Sequence, residues 1–208
     1  MVLDTIGMRT RLGRAEQVER NRSLLLAAAR RVFLDRGYSG ASLEAIAEAA
    51  GFSKGVVYSQ FAGKADLFLA LLDERIAQRA EQNQRVTDGL EGPDAVTALL
   101  RAAQRDAHTQ PEWALLLVEF RAQAARDPEL NTRYARAHER AIDGVADVLG
   151  DAYRRAGLQP RLPVRRLAEF VLAVGPAVAL ERAADPAALP DRVLEQLVQG
   201  ALGLPSPR

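Results

Sequence analysis

The chain has 208 residues, 48% of them hydrophobic, enough for a substantial core, and its 28 basic and 27 acidic residues leave a formal charge of only +1. That balance argues against indiscriminate attraction to nucleic acid, and the lack of cysteine removes disulfides, zinc–thiolate sites and thiol nucleophiles. The charge is nevertheless uneven: residues 1 to 64 hold 10 Lys/Arg against 6 Asp/Glu, and residues 65 to 208 hold 18 against 21.

Residues 1–15 have neither an apolar leader-like run nor helical periodicity, so they read as a flexible arm whose Arg9, Arg11 and Arg14 suit a DNA backbone or minor groove. From about Glu16 to Arg36, Leu25, Ala28, Ala29, Val32 and Phe33 form one apolar stripe of a helix that Gly37 stops before Tyr38. Ser42 then caps a short helix, with Glu44 favourably placed in its first turn, Ile46, Ala47 and Ala50 at helical spacing, and Glu48 joining Glu44 on the solvent side. Gly51 ends it, Phe52 packs inward, and Ser53 caps a second short helix from about Lys54 to Gln60. Two short helices joined by a glycine turn make a helix-turn-helix, and the second is the recognition candidate. Phe33, Tyr38, Ile46 and Phe61 are the expected core beneath it.

The side chains of that second helix suit a DNA groove. Ser42, Ser53, Tyr58 and Lys64 are expected at phosphates; Lys54, Val56, Ser59 and Gln60 are expected nearer base edges; Gly55 allows close approach. Of the 28 basic residues only two are lysine, and both, Lys54 and Lys64, flank this helix. The run LLAAARRVFLDRGYSGASLEAIAEA followed by AGFSKGVVYSQFAGKADLF resembles the DNA-binding domain of TetR-type transcriptional regulators over residues 18 to 70. Val57, where that family more often has Leu, and Ser59-Gln60, where an aromatic or His often precedes the Phe, depart from the pattern and bear on sequence preference. The resemblance implies that the long first helix holds the recognition helix rigid. It also implies that the helices after Lys64 enclose a small-molecule cavity.

Lys64 opens a long helix through Leu67, Phe68, Leu71, Leu72, Ile76 and Ala80 that enters the second half of the chain. Gly89, Gly92 and Pro93 mark a break, and a helix with Val96, Leu99, Leu100 and Ala103 on its apolar side follows, ending near His108. Pro111 starts a helix that is apolar all round from Trp113 to Val118. Asp127-Pro128 starts another, with Leu130, Tyr134, His138, Ala141, Val145 and Leu149 on one face as far as Gly157. The next, about Val164 to Ala184, carries an apolar run that Gly175-Pro176 should kink, and the last repeats apolar pairs from Val193 to Leu202. These two terminal helices predict homodimerisation, through Phe170, Val174, Val178, Val193, Leu194, Leu197, Val198 and Ala201. With no repeat and no strand-like alternation, the fold is expected to be all-α, about nine helices: an arm (1–15), a helix-turn-helix domain (16–63) and a helical ligand-binding and dimerisation domain (64–208).

An enzyme is not expected. Two histidines lie outside any metal-ligand spacing, Asp106 and His108 face different ways on a helix, and no glycine-rich phosphate loop follows a strand, so neither a metal nor a cofactor is expected. Trp113, Leu117, Glu119, Phe120, Arg121, Tyr134 and His138 are the candidate walls of a ligand cavity, against the plainer reading that they are core residues and ion pairs. The longest uncharged apolar run is too short for a bilayer, so a cytoplasmic location without a membrane partner is expected. Two functions fit: a homodimeric repressor released from palindromic operator DNA by a small, largely apolar effector, or a dimeric DNA-binding or scaffold protein answering to a protein partner or to no ligand.

Overall fold

The computed structural model describes residues 13–90 and 92–203, apart from the side chains at 92, 93, 100, 108 and 156. Arg9 and Arg11 of the expected arm and the His108 side chain lie outside these residues. Among the described residues there are nine helices and no strand.

α1 (Arg14–Gly40) is regular as far as Gly37, whose φ of +70° and ψ of 172° lie in a region open to glycine alone, so the chain turns there and buries Tyr38. α2 (Leu43–Ala50) begins where Ser42 Oγ accepts the Ala45 N–H at 3.1 Å. It ends at Gly51 in the left-handed conformation, with Phe52 N–H returning to the Ala47 carbonyl at 2.9 Å. α3 spans only Lys54–Tyr58, shorter than the Lys54-to-Gln60 reading, and the Ser53 hydroxyl makes no capping bond to it. α4 (Lys64–Thr87) runs out of this trihelical unit into the rest of the molecule. α5 (Gly92–Thr109) and α6 (Pro111–Ala124) follow, α6 starting on a proline whose missing N–H costs a first turn nothing. α7 (Pro128–Ala156) is capped by Asp127, whose Oδ1 accepts from Glu129 N at 3.1 Å and Leu130 N at 3.0 Å. α8 (Val164–Ala184) continues through Gly175-Pro176 as one helix, and α9 (Asp191–Leu202) closes the described chain.

The interior is built from two apolar clusters. The first holds the four expected core residues Phe33, Tyr38, Ile46 and Phe61, together with Phe68 of α4, Trp113 and Phe120 of α6 and Leu130 and Tyr134 of α7. It crosses the expected boundary at residue 63. Phe68 is its hub, stacked on Phe120 at 4.2 Å between centroids and edge-on to Phe33 at 5.4 Å and Tyr38 at 5.3 Å. The second cluster joins α5, the C-terminal half of α7, α8 and α9. α7 thus contributes to both, packing on α4, α5 and α8.

The terminal helices divide their apolar residues in a way that sequence periodicity leaves open. Val178 and Val198 are buried within the subunit, Val174, Leu194 and Ala201 are half-buried, and Phe170, Val193 and Leu197 remain exposed with Leu180. The outward apolar face is therefore narrower than the predicted seam, because α8 and α9 pack on each other and on α6 and α5 with their other sides. No described helix is long and apolar enough to cross a membrane.

Candidate nucleic-acid interface and the adjoining cavity

The surface of the helix-turn-helix presents Ser42, Ser53, Lys54, Gly55, Tyr58 and Ser59 together, all exposed. Lys54 Nζ lies 3.4 Å from Glu44 Oε1, and Tyr58 OH approaches the same oxygen at 3.5 Å. The Glu44 carboxyl is accordingly held below the usual range, by its backbone hydrogen bond first and then by Lys54. Because Glu44 is exposed, the pairing orients Lys54 and Tyr58 without binding them tightly, and a phosphate can take the carboxylate's place. The Ser53 hydroxyl, having no cap to make, is open to the same use. Ser59 donates its hydroxyl to the Val56 carbonyl at 2.8 Å. Val56 packs partly against the core, and Gln60 is half-buried, its Oε1 enclosed without a hydrogen-bond partner among the described residues. Of the residues expected near bases, Lys54 and Ser59 face outward, whereas Val56 and Gln60 are turned toward the fold.

Lys64 is engaged inside the protein. Its ammonium donates to the Tyr38 carbonyl at 2.7 Å, the Ala41 carbonyl at 3.0 Å and the Ser39 carbonyl at 3.4 Å, and lies 4.6 Å from the Tyr38 ring centroid. Burial pushes its pKa down. The first residue of α4 thus fixes the last turn of α1 and its cap at Ala41. Glu119 grips the same corner from the opposite side: its Oε2 accepts the Tyr38 N–H at 2.8 Å, beside the Cα of Gly37, while Phe120 meets the Tyr38 ring edge-on at 5.0 Å. Glu119 and Phe120, expected in a cavity wall, line none of the described cavities. Alternation along α6 sends Phe120 into the aromatic core and Glu119 to the helix-turn-helix.

The other five candidate wall residues do meet. Trp113, Leu117, Arg121, Tyr134 and His138 line a cavity of about 180 Å³ among α4 to α8. Trp113 and Leu117 also line an adjoining one of about 260 Å³ that reaches Gly175 and Pro176 of α8. His138 stacks on Tyr134 at 5.6 Å, and burial together with the Arg121 charge pushes its pKa down. Burial pushes the Tyr134 hydroxyl up.

Sequence reasoning missed the polar groups here. Arg75, Arg79, Asn83 and Asp106 line both cavities. Asp106 Oδ2 accepts from Arg75 Nη2 at 2.6 Å and lies 3.6 Å from Arg79 Nη1. Arg75 also sits 4.8 Å over the Trp113 ring. Spacing carried a signal: 75, 79 and 83 follow one another every fourth residue, immediately beside the apolar stripe of Leu72, Ile76 and Ala80. Polar residues bordering a stripe that continues into the core mark a wall that is buried but not packed.

A short exposed helix held rigidly by two others, with cationic, hydroxyl and small side chains on its outer face, defines a helix-turn-helix DNA-binding protein. Residues 25–71 match the family model described as bacterial regulatory proteins, tetR family. Over 123 residues the chain is 29% identical to the transcriptional repressor AcnR of Corynebacterium efficiens, covering 59% of this chain and 60% of that protein. It is 45% identical over 58 residues to the transcriptional activator FasR of Mycolicibacterium smegmatis, covering 28% of this chain and 26% of that one. Salmonella enterica GusR superposes with a TM-score of 0.71 at 23% identity, covering 88% of this chain and 96% of GusR, a likeness of fold. Residues 25–71 therefore carry the DNA-binding domain of the TetR family of transcriptional regulators. The chain spans about three fifths of the length of the AcnR protein of Corynebacterium efficiens.

Proposed function

We propose that the chain is a cytoplasmic, homodimeric repressor that leaves a near-palindromic operator when a small molecule occupies the cavity among α4 to α8. The single observation that carries this reading is the double membership of α4. Its first residue, Lys64, holds the carbonyls of Tyr38, Ser39 and Ala41 at the helix-turn-helix, and three turns on its Arg75 and Arg79 line the cavity. A ligand that favours one position of α4 therefore favours one position of the recognition helix, and DNA must oppose that ligand by the same factor. A second copy of the chain is the proposed partner for the exposed face of Phe170, Leu180, Val193 and Leu197. A two-fold axis through that face pairs two recognition helices for half-sites about 34–36 Å apart. Selection from random-sequence DNA by the purified protein tests the reading: an enriched inverted repeat is expected, and unenriched DNA after repeated rounds would refute it.

A further inference from the structure

The cavity beside α4 is apolar over most of its wall but not electrically neutral. Arg75 and Arg79, one helical turn apart, converge on one carboxylate, Asp106, with Nη···Oδ2 distances of 2.6 and 3.6 Å. Both guanidiniums are largely buried, and desolvation pushes the pKa of each down, with Asp106 opposing. For Arg75 the neighbouring Arg79 and Arg30 charges add to the downward push. Two cations against one anion leave one charge uncompensated. The remaining charged groups on the walls do not supply it: Arg121 and Arg140 are further cations, His138 is held toward its neutral form, and Asp106 is the one acid among the described lining residues. Arg140 pairs with Asp73 and Arg121 lies over the Tyr134 ring.

A second observation marks the same place. Asn83, 9% exposed, lines both cavities, so a polar amide on a mostly buried residue borders the same space as the two guanidiniums. The two cavities, about 260 and 180 Å³, have Arg75, Arg79, Asn83 and Asp106 in common. Singly each is below the usual range of small-molecule sites, about 300–1,000 Å³. They adjoin across these shared residues; the side toward Val96, Leu99 and Pro176 is apolar, and the side toward Tyr134 and His138 carries Arg121 and Arg140.

We infer that the ligand of this space is an amphipathic carboxylate, its head received by Arg75, Arg79 and Asn83 and its apolar body lying against Trp113, Leu117 and Leu172. This rests on the sensor reading above and names the chemistry of its effector. The head group supplies the missing negative charge, and the Asn83 amide donates to its second oxygen. A purely apolar ligand would leave the charge and the amide as they are. The head would also be felt at the DNA-binding unit. Gln110 Oε1 accepts both from Arg75 Nη1 at 3.1 Å and from Arg30 Nη2 of α1 at 2.5 Å, so drawing Arg75 to a ligand loosens one of two bonds meeting on a single oxygen.

Trp113, the only tryptophan, lies in the wall and reports occupancy by its fluorescence. The full-length protein is titrated with decanoate, decan-1-ol and decylamine, which share a tail and differ in the head. Decanoate is expected to bind at least about tenfold more tightly than decan-1-ol, and decylamine not at all. Arg79→Gln should remove most of that preference by weakening decanoate far more than decan-1-ol, and Arg79→Lys should restore part of it. Equal or tighter binding of the alcohol, equal loss for both ligands in Arg79→Gln, or no fluorescence change with any of the three overturns the inference. Operator affinity measured in parallel separates the two readings. Release of DNA by decan-1-ol alone sinks the carboxylate and keeps the sensor. Tight decanoate binding that leaves operator affinity untouched keeps the carboxylate and sinks the sensor.

Discussion

Replacing Gly37 by alanine tests how firmly the cavity-bearing half grips the helix-turn-helix. At φ +70° and ψ 172° the residue occupies a region that side chains pay about 1–3 kcal/mol to enter. An added Cβ would lie 2.7 Å from Glu119 Oε2 and 3.0 Å from Oε1, so the carboxylate must withdraw, and it is the acceptor of the Tyr38 N–H. A hydrogen bond to a charged group contributes about 1.5–3 kcal/mol, and the exposure of Glu119 favours the lower end. Gly37→Ala should therefore cost about 2.5–4.5 kcal/mol, and Glu119→Ala about 1.5 kcal/mol. Once Glu119 is shortened there is no carboxylate to collide with and no bond left to lose. The double variant should consequently be less destabilised than the sum of the singles by about 1.5 kcal/mol. Urea unfolding of the three variants, followed by Trp113 fluorescence and circular dichroism, measures this. Additivity within about 0.5 kcal/mol, or a Gly37→Ala cost below that figure, would refute the reasoning.

The two lysines should part company: Lys64→Met is expected to cost about 2–3 kcal/mol of stability because three carbonyls lose a shared cation, with little change in the salt dependence of DNA binding. Lys54→Ala should leave stability within about 0.5 kcal/mol and lower the salt slope by about one unit per recognition helix; equal slopes in the two variants would overturn this division. Gly55→Ala should raise stability by about 0.5–1 kcal/mol, since its Cβ meets only Ser53 Oγ at 3.9 Å, yet weaken operator binding in a mobility-shift assay; unchanged affinity would mean that no backbone approaches there. His138 is held below its ordinary pKa of about 6.5 when folded, so the unfolded chain takes up the proton first and stability must fall as pH drops through 6.5 toward the lower folded value. His138→Phe should flatten that fall in thermal melts between pH 7.5 and 5.5, and a parallel pH profile would remove His138 as its source.

Sequence carried the fold far. Gly37, Ser42, Gly51, Asp127 and Gly157 each act through local backbone geometry, so the starts and stops they mark needed no tertiary information. Apolar periodicity likewise named Phe33, Tyr38, Ile46 and Phe61 correctly as interior, because a stripe on a helix has one side to bury. Periodicity failed where two elements had to meet. Whether Val178 and Val198 face a neighbour in the same subunit or a partner depends on how α8 and α9 pack, and the seam contains no mark of it. Glu119, Lys64 and the Arg75–Asp106–Arg79 group escaped for the same reason from the polar side. A charged residue reads as solvated until its partner, 31 residues away in the chain for Arg75 and 81 for Glu119, is brought beside it.

The aromatic packing around Phe68 has a consequence for engineering. The helix-turn-helix would be a detachable cassette only if the chain could be cut at the start of α4 without opening its core. In this chain a graft at residue 63 would cut through one continuous interior: Tyr38 rests on Phe68 and Phe120, and Phe68 stacks on Phe120 and Trp113. A chimaera keeping this reader on a foreign sensor would need α4 through Phe68 and an α6 supplying both an aromatic in place of Phe120 and an acceptor in place of Glu119. Without them the transplanted reader loses the floor on which its turn is built, and the hybrid fails by misfolding before any question of operator choice arises.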